Sequence, residues 1–191
     1  MIYTKITIMA ALLFLSNTVV AKESKFGVGV GINDYFTIQL PIEIEGLLIE
    51  PSISIHNRNE DSSSPSEIYK NEREEVRTIV GIFKNISKSK VIQYFYGIKL
   101  GYISSKYNDS RVSTSSNTSY STETDGYLIA PTFGVQYYFL SNMSIGIDVS
   151  FTYTDKEGER INSVSSSTEI SDTDLTEYAT ESEIVLRYYF E

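Results

Sequence analysis

The sequence contains no cysteine among its 191 residues. It therefore has no disulfide framework, no thiolate nucleophile and no cysteine-ligated zinc, so its stability must come from burial and from hydrogen-bonded secondary structure. Histidine is nearly as scarce, with His56 as the single example. The Walker, HExxH and G-x-S-x-G motifs are missing as well. We therefore expect neither a cofactor nor a resident metal ion.

Basic residues are also in deficit. Only 16 Lys and Arg residues stand against 25 Asp and Glu residues, which gives a formal net charge of −9. Contacts to nucleic-acid phosphates need clustered Lys and Arg side chains. We therefore expect no nucleic-acid partner.

Long apolar runs are missing except at the amino terminus. There Lys5 precedes an apolar run over residues 6–15, and small residues surround Ala21. This pattern predicts a signal peptide over residues 1–21 and a single mature domain over residues 22–191. The alternative is a membrane anchor, but the run is shorter than the roughly 20 apolar residues that a spanning helix needs. Any later membrane crossing must then use strands.

What the sequence has instead is apolar and polar residues in strict alternation. Side chains of a strand point to opposite faces with period two, so such a segment has one apolar face and one polar face. In residues 143–154 the apolar positions are Met143, Ile145, Ile147, Val149, Phe151 and Tyr153. We predict eight strands of this kind, at residues 26–32, 36–44, 47–56, 76–83, 92–102, 127–139, 143–154 and 183–190.

The connections between these strands alternate in length. Short connections are predicted at residues 45–46, 85–90 and 141–142, and long polar ones at residues 58–74, 104–126 and 155–177. Residues 33–35 form an exception, a short connection at the end where the others are long. Short periplasmic turns and long extracellular loops are typical of outer-membrane barrels. A soluble β-sandwich also alternates, but it usually includes Greek-key crossings.

Aromatic residues of the apolar face favour the membrane barrel over the sandwich, because they gather near both strand ends. Such girdles mark the two membrane interfaces of a barrel. The predicted interface aromatics are Tyr94, Tyr96, Tyr137, Phe139, Tyr188 and Phe190 toward the short turns, with Tyr102, Tyr127, Phe151 and Tyr153 toward the long loops.

Charges on the polar face give a second reason. In a small barrel they face the lumen, where burial is tolerable only if opposite charges pair. Four acids and three bases come close to balance. The predicted lumen network consists of Glu43, Glu50, Arg77, Lys99, Asp148, Glu183 and Arg187.

Three stretches carry a resemblance to a known family: TIQLPIEIEGLLIEPSISIH, PTFGVQYYFLSNMSIGIDVSFTYT and the closing EIVLRYYF. The chain resembles the small eight-stranded outer-membrane barrels typified by OmpX and by the barrel portion of OmpA. The resemblance implies an all-β, antiparallel, up-and-down transmembrane barrel in a bacterial outer membrane. It also implies that the outer-membrane assembly machinery reads the aromatic last strand. Because the family includes adhesins, structural proteins, narrow pores and enzymes, the fold leaves the function open.

Our leading hypothesis is a non-enzymatic scaffold whose long loops meet a host or cell-surface ligand, since recognition often lies on loops of a rigid frame. The alternative is a small pore for ions or solutes. In an eight-stranded barrel, however, the charged side chains are expected to meet and fill the interior. Outer-membrane lipid and lipopolysaccharide are expected partners, and the acidic loops could bridge divalent cations to lipopolysaccharide phosphates.

A third hypothesis is a lipid-modifying enzyme that uses Ser54, His56 and Glu50, which share one strand face. Serine, histidine and a carboxylate are the groups that such a hydrolase would need. However, residues two apart on a strand are separated by about 6.5–7 Å at Cα. All three also face inward, away from lipid, so we favour a structural role for them.

Overall fold

A computed structural model describes residues 24–64, 67–86, 89, 91–113, 117–164 and 167–190, apart from the side chain of residue 67. The predicted signal peptide, residues 1–21, lies outside this part. No helix in the described residues is long and apolar enough to cross a membrane. The strands are β1 (Ser24–Ile32), β2 (Phe36–Gln39), β3 (Ile42–Ile44), β4 (Leu47–Ser64), β5 (Glu67–Asn85), β6 (Ile92–Ser113), β7 (Asn117–Leu140), β8 (Met143–Val164) and β9 (Ser167–Phe190).

These strands close into an antiparallel ring with eight positions. From β3 to β9 each strand pairs with the next, and β1 pairs with β9 from Phe26↔Phe190 to Ile32↔Ile184. The short strands β2 and β3 share one position between β1 and β4. The arrangement confirms the predicted eight-stranded, up-and-down barrel.

Pro41 explains why the second predicted strand is divided into β2 and β3. Proline has no N–H to donate to a ladder, so regular pairing stops beside it. The chain nevertheless keeps its course, because the Leu40 N–H donates to the Pro51 carbonyl (2.9 Å) and the Gly27 N–H donates to the Pro41 carbonyl (2.9 Å). The interruption therefore leaves the ring closed.

The two faces of the barrel have reversed polarity relative to a water-soluble protein. On β8, Ile147 and Phe151 face outward and are 46% and 64% exposed, whereas Asp148 and Thr152 face inward and are 2% and 4% exposed. Apolar surface of this extent is unfavourable in water and favourable in lipid. In β5 the outward positions that precede Val76 are occupied by Glu74 and Glu72, so the membrane-spanning segment of this strand is residues 76–83.

Aromatic side chains lie outward at both ends of this apolar surface. At the outer end the Tyr102 and Tyr127 rings meet across β6 and β7, with centroids 5.9 Å apart. At the inner end Tyr188 and Phe190 are 5.5 Å apart. The ten aromatic residues predicted at the interfaces are all exposed or half-buried on this outward face: Tyr94, Tyr96, Tyr102, Tyr127, Tyr137, Phe139, Phe151, Tyr153, Tyr188 and Phe190.

The three polar connections differ from the prediction, because they are paired strands over most of their length. The ladder of β4 and β5 runs out to Ser64↔Glu67, that of β6 and β7 to Val112↔Asn117, and that of β8 and β9 to Val164↔Ser167. Cross-strand pairs such as Lys106 with Glu123 (2.6 Å) hold them together. We call residues 57–74, 104–126 and 155–177 the outer hairpins.

The ring closes only within the membrane. Since β1 ends at Ile32 and β2 begins at Phe36, β9 has no second neighbour before Ile184, and β4 has none after Ile55, among the described residues. Beyond this level the strands β4 to β9 form an open sheet. The short β1–β2 connection thus leaves two free sheet edges on the outer side.

At the opposite end, Glu45 and Gly46 form the tight turn between β3 and β4. Both residues have positive φ, 49° and 82° respectively. Two positive φ values are what a two-residue type I′ hairpin turn requires, and glycine adopts them at little cost. The Glu45-Gly46 turn predicted from the sequence is therefore built on the backbone freedom of Gly46.

Replacing Gly46 by alanine tests this turn cleanly, because a Cβ at this position would have no heavy atom within 4 Å. The only cost is the left-handed backbone, so we expect Gly46→Ala to lower the free energy of unfolding by about 1–2 kcal/mol. Urea unfolding of the purified barrel in detergent measures this change. Glu45→Asn is the matched control and should raise the stability slightly, since asparagine tolerates positive φ. Equal stability of Gly46→Ala and the wild type would contradict the account.

Candidate functional site

The barrel interior contains three layers of ion pairs, stacked along the barrel axis. The innermost layer, which lies nearest the short turns, joins β4 to β9. Arg187 donates from Nε to Glu50 Oε2 (2.7 Å) and from Nη2 to Glu50 Oε1 (3.1 Å). Both side chains are almost completely buried, at 1% and 2% exposure. Two parallel hydrogen bonds of this kind are the strongest arrangement of an arginine with a carboxylate. They hold opposite walls of the barrel at a fixed distance.

Gln136 surrounds this pair with further hydrogen bonds. Its amide nitrogen donates to Ser144 Oγ (2.6 Å) and to the Tyr189 hydroxyl (3.1 Å), and its carbonyl oxygen accepts from Arg187 Nη1 (3.5 Å). All of these residues face inward from β7, β8 and β9. The buried charges of the innermost layer are therefore solvated by protein groups in place of water.

The middle layer is centred on Lys99 of β6. Its ammonium donates to Asp148 Oδ1 (3.0 Å) and also to Glu183 Oε2 (3.4 Å). Gln39 donates a further hydrogen bond to Glu183 Oε2 (3.3 Å). One lysine thus holds two carboxylates that would otherwise repel each other in the lumen.

The outer layer lies where β5 leaves the membrane. Arg77 donates to Glu75 Oε1 (2.7 Å) and, from Nη1, to both oxygens of Glu181 (2.9 and 3.0 Å). Its guanidinium also donates to the Tyr35 hydroxyl, which in turn donates to Glu75 Oε1 (2.8 Å). The guanidinium carbon lies 4.0 Å from the centre of the Tyr35 ring, a cation–π contact. The β1–β2 turn therefore caps the lumen with an aromatic side chain.

Glu75 is the carboxylate on which this layer converges, and it lies just outside the membrane-spanning segment of β5. Lys156 and Arg73 approach its other oxygen at 3.7 and 3.4 Å. Burial alone would raise the pKa of Glu75, but the charges of Arg77 and Lys156 and the hydrogen bonds from Arg77 and Tyr35 lower that pKa to about 2. The carboxylate is therefore ionised throughout the physiological pH range.

Little space remains between these layers. Leu48, Phe83 and Phe95 pack together in one interior cluster, and Ile103, Leu128 and Ala130 form a second. A cavity of about 30 Å³ lies between the middle and outer layers, beside residues including Arg77 and Lys99. Since a buried water needs about 10–15 Å³, this cavity has room for about two water molecules. The apolar clusters and the ion pairs together fill this part of the lumen.

The structure brings six of the seven predicted lumen residues into the ion pairs just described. Glu43 differs, since it lies at the inner end, where its Oε1 accepts a hydrogen bond from Asn85 (3.2 Å) and Oε2 has no partner among the described residues. The residues of the network that sequence reasoning missed are Tyr35, Glu75, Lys156 and Glu181. The last three continue the inward parity of Arg77, Thr154 and Glu183, which is the signal that could have found them.

The side chains considered for lipid hydrolysis do not form a hydrogen-bonded triad. Ser54 Oγ is hydrogen-bonded to Thr37 Oγ1 (2.9 Å), and His56 Nδ1 donates to the Asp34 carbonyl (2.6 Å). Glu50 is bound to Arg187 in the innermost layer. Nucleophilic catalysis requires the serine and the base within hydrogen-bond reach, so the geometry gives this hypothesis no support. No group of three potential metal ligands occurs in the described part of the chain.

On the outer side, a cleft of about 550 Å³ separates the free edges of β4 and β9. The β1–β2 turn, including Tyr35, forms its floor, His56 lies on the β4 side, and residues 179–182 lie on the β9 side. The cleft is thus a direct consequence of the short β1–β2 turn. It places exposed backbone edges next to a pocket with polar walls.

Removing one member of the innermost ion pair tests its role in stability. Arg187→Met leaves Glu50 buried without a counter-charge, which we expect to cost about 3–5 kcal/mol of unfolding free energy. Arg58→Met is the matched control, because the exposed Arg58–Glu60 pair should contribute less than about 1 kcal/mol. The double variant Glu50→Leu/Arg187→Met should recover part of the loss. Urea titration in detergent distinguishes these cases, and equal effects of Arg187→Met and Arg58→Met would refute the assignment.

Comparisons with known proteins bear on the fold. No protein-family model and no curated protein sequence matches the chain. Among solved structures, a major outer membrane protein from Thermus thermophilus is 14% identical with a TM-score of 0.57, over 88% of this chain and 100% of that one. CarO of Acinetobacter baumannii is 10% identical with a TM-score of 0.48, over 87% and 97% of the two chains. Ail of Yersinia pestis is 14% identical with a TM-score of 0.39, over 87% and 93%. The likeness to the Thermus protein, with its TM-score above 0.5, shows that the chain has the fold of a bacterial outer-membrane β-barrel protein.

Proposed function

We propose that this outer-membrane barrel is a non-enzymatic scaffold that presents its outer hairpins as a recognition surface. The apolar exterior anchors the barrel in lipid, and the ion pairs of the lumen keep its circumference rigid. A rigid frame that carries exposed segments is the usual arrangement for recognition in proteins. The lumen supports a scaffold over the alternative of a small pore, since the described ion pairs and apolar clusters occupy much of its cross-section.

The observation that carries the proposal is the free edge of β9. Residues 167–183 pair with β8 on one side and have no described strand on the other. An unpaired edge presents alternating N–H and C=O groups that can bind an extended polypeptide as an added strand. Natural proteins usually shorten or cover such edges. An edge of this length on the outer side therefore favours a polypeptide ligand that adds to the sheet.

The negative charge of the β9 edge indicates which kind of polypeptide would bind there. Residues 167–182 contain no Lys or Arg and carry five carboxylates. Glu177 and Glu181 pair with Lys156 and Arg77, so Glu169, Asp172 and Asp174 are the acids that can meet a ligand. Opposite charges across an interface speed association and exclude partners of the wrong sign. The ligand that fits this edge is an extended segment rich in Lys or Arg, on a host protein or on another cell. The adjoining cleft gives room for its side chains.

The remaining partners follow from the place of the barrel in the membrane. We propose that lipid and lipopolysaccharide surround the apolar exterior and its aromatic ends. The outer-membrane assembly machinery is proposed to read the last strand, whose outward side chains include Leu186, Tyr188 and Phe190. These partners insert the barrel into the membrane and surround it there, whereas the polypeptide ligand defines its function.

Neutralising carboxylates on the β9 edge tests the proposal. We expect Asp172→Asn/Asp174→Asn to weaken binding of an immobilised, extended Lys-Thr repeat peptide by about tenfold, because two charges facing the ligand are lost. Surface plasmon resonance with the purified full chain in detergent measures the affinity. The wild type should also lose affinity as salt rises.

The matched control is Glu72→Gln/Glu74→Gln. It removes the same charge from exposed positions of β5, which has a neighbour on both sides. This variant should bind the peptide within about twofold of the wild type, since surface charges away from a binding site have small effects. The same loss in both double variants would show attraction by net charge alone and would overturn the β9 edge as the recognition surface.

A further inference from the structure

A second cavity lies inside the outer hairpins, above the outer layer of ion pairs and away from the free outer side of β9. Its volume is about 220 Å³. The inward faces of β5 to β9 form its walls, with Arg73 and Lys156 at its inner end and Arg160 farther out. Neither the scaffold role nor the edge of β9 accounts for this cavity. Its lining differs from the acidic exterior of the hairpins.

Arg160 is unlike the other inward-facing cations. Arg73, Arg77, Lys99, Lys156 and Arg187 each have a carboxylate within 4.0 Å. Arg160 has none among the described residues, although acids outnumber bases in this chain by 25 to 16. Its Nη2 donates only a long hydrogen bond to Thr173 Oγ1 (3.5 Å). A guanidinium without a counter-charge inside an acidic protein can bind an anion that comes from outside.

Two residues that line this cavity have hydrogen-bonding groups without a partner within the described chain. The Nε atom of Arg160 is buried and has no partner in the described part of the protein, and the same is true of Thr122 Oγ1. Thr122 and Arg160 are direct partners in the β7–β8 ladder. Buried polar atoms without a partner are rare, because each one costs free energy. The two atoms show that the described chain itself leaves polar groups of this part of the wall unsatisfied.

Glu177 is the acid that lines this cavity, and it is already engaged. Its Oε2 lies 2.9 Å from Lys156 Nζ. The Lys156 ammonium is also 3.7 Å from Glu75, so the charges at the inner end balance locally. Gly158 separates Lys156 from Arg160 on the inward face of β8, and a Cβ there would collide with the Glu123 carbonyl oxygen. The two strands therefore pack closely at Gly158, which has no side chain between those of Lys156 and Arg160.

Aromatic rings and hydroxyl groups make up the rest of the wall. Tyr107 and Tyr120 meet edge to face with centroids 5.7 Å apart, and the Arg160 guanidinium lies 5.4 Å from the Tyr120 ring. Ser105 and Thr124, which are hydrogen-bonded to each other (2.8 Å), also line the cavity. Aromatic faces pack against the C–H face of a sugar ring, and hydroxyl groups exchange hydrogen bonds with its edge.

We propose that this cavity binds a single sugar unit that carries a carboxylate, presented at the end of a glycan. The guanidinium of Arg160 binds the carboxylate, for which the planar fork of arginine is well suited. Tyr120 and Tyr107 contact the ring, and the Thr122 hydroxyl binds a ring hydroxyl. The inference deepens the proposed function and rests on it, because it assumes that the outer hairpins are a recognition surface. The carboxylated sugar could belong to a host glycan or to lipopolysaccharide of a neighbouring cell.

Isothermal titration of the purified full chain in detergent tests the proposal with four probes. These are 3′-sialyllactose for the host source, 3-deoxy-manno-octulosonic acid for the lipopolysaccharide source, uncharged lactose, and inorganic phosphate. We expect at least one carboxylated sugar to bind tenfold or more tightly than lactose and phosphate, because lactose lacks the charge-assisted hydrogen bond to Arg160 and phosphate lacks the ring that contacts Tyr107 and Tyr120. The tighter of the two carboxylated probes identifies the source.

Three variants assign the binding to the cavity. Arg160→Gln should weaken the carboxylated sugar by tenfold or more, and Tyr120→Leu should also weaken it. Lys70→Gln removes the same charge from an exposed, outward position of the outer hairpins and should leave the affinity unchanged. Slower migration on electrophoresis after boiling verifies that each variant is a folded barrel beforehand.

The outcomes separate this inference from the proposed function. Phosphate that binds as tightly as the tighter of the two carboxylated sugars, or an unchanged affinity of Arg160→Gln, would overturn the sugar site. An equal loss in Lys70→Gln would overturn it too, as attraction by net charge only. If the basic peptide still binds the β9 edge while neither sugar binds, this inference fails and the proposed function stands. Sugar binding without peptide binding would leave the cavity assigned and remove the β9 edge from the proposed function.

Discussion

Burial of charge inside a narrow ring is the constraint on which the structure depends. Eight strands enclose little space beyond that of their own side chains, so the inward side chains must pack against one another. The chain places charges there, and most of the described ones lie next to a counter-charge. Glu50 with Arg187, and Lys99 with Asp148 and Glu183, meet this condition in the membrane. The strand register and the charge pairing therefore specify each other, because a one-residue slip would turn these charges toward lipid.

On the outer side of the barrel, the short turn between β1 and β2 determines both how the lumen ends and which strands keep two neighbours. The turn between β1 and β2 brings Tyr35 over Arg77 and so closes the lumen at its outer end. Because it stops there, the strands that continue outward lose one neighbour and leave β4 and β9 with free edges. One short connection thus accounts for the closed lumen, the cleft and the exposed edge. Under the proposed function, the membrane-spanning parts of these strands provide stability and their outer parts provide recognition.

Much of the barrel follows from the sequence, and the rest shows where alternation stops being informative. Lipid forces apolar residues outward in the membrane, so the strands, the tight turn at Gly46 and most of the lumen charges were predictable. Beyond the membrane the outward face is polar as well, so the Ser- and Thr-rich strands there have the composition of loops. Glu75 and Lys156 were missed for this reason, since they lie where the alternation fades. The free edge of β9 depends on the length of a turn elsewhere in the chain, which no local pattern reveals.

Conductance of the purified protein in planar lipid bilayers tests the central claim most directly. If the paired charges and the apolar clusters fill the lumen, the folded barrel inserts without steady single-channel current steps at moderate voltage. Replacing a surface charge such as Lys70 should not change that result. Steady, unitary current steps from the wild-type barrel would contradict the account, because they require a continuous aqueous path past Arg187, Lys99 and Arg77.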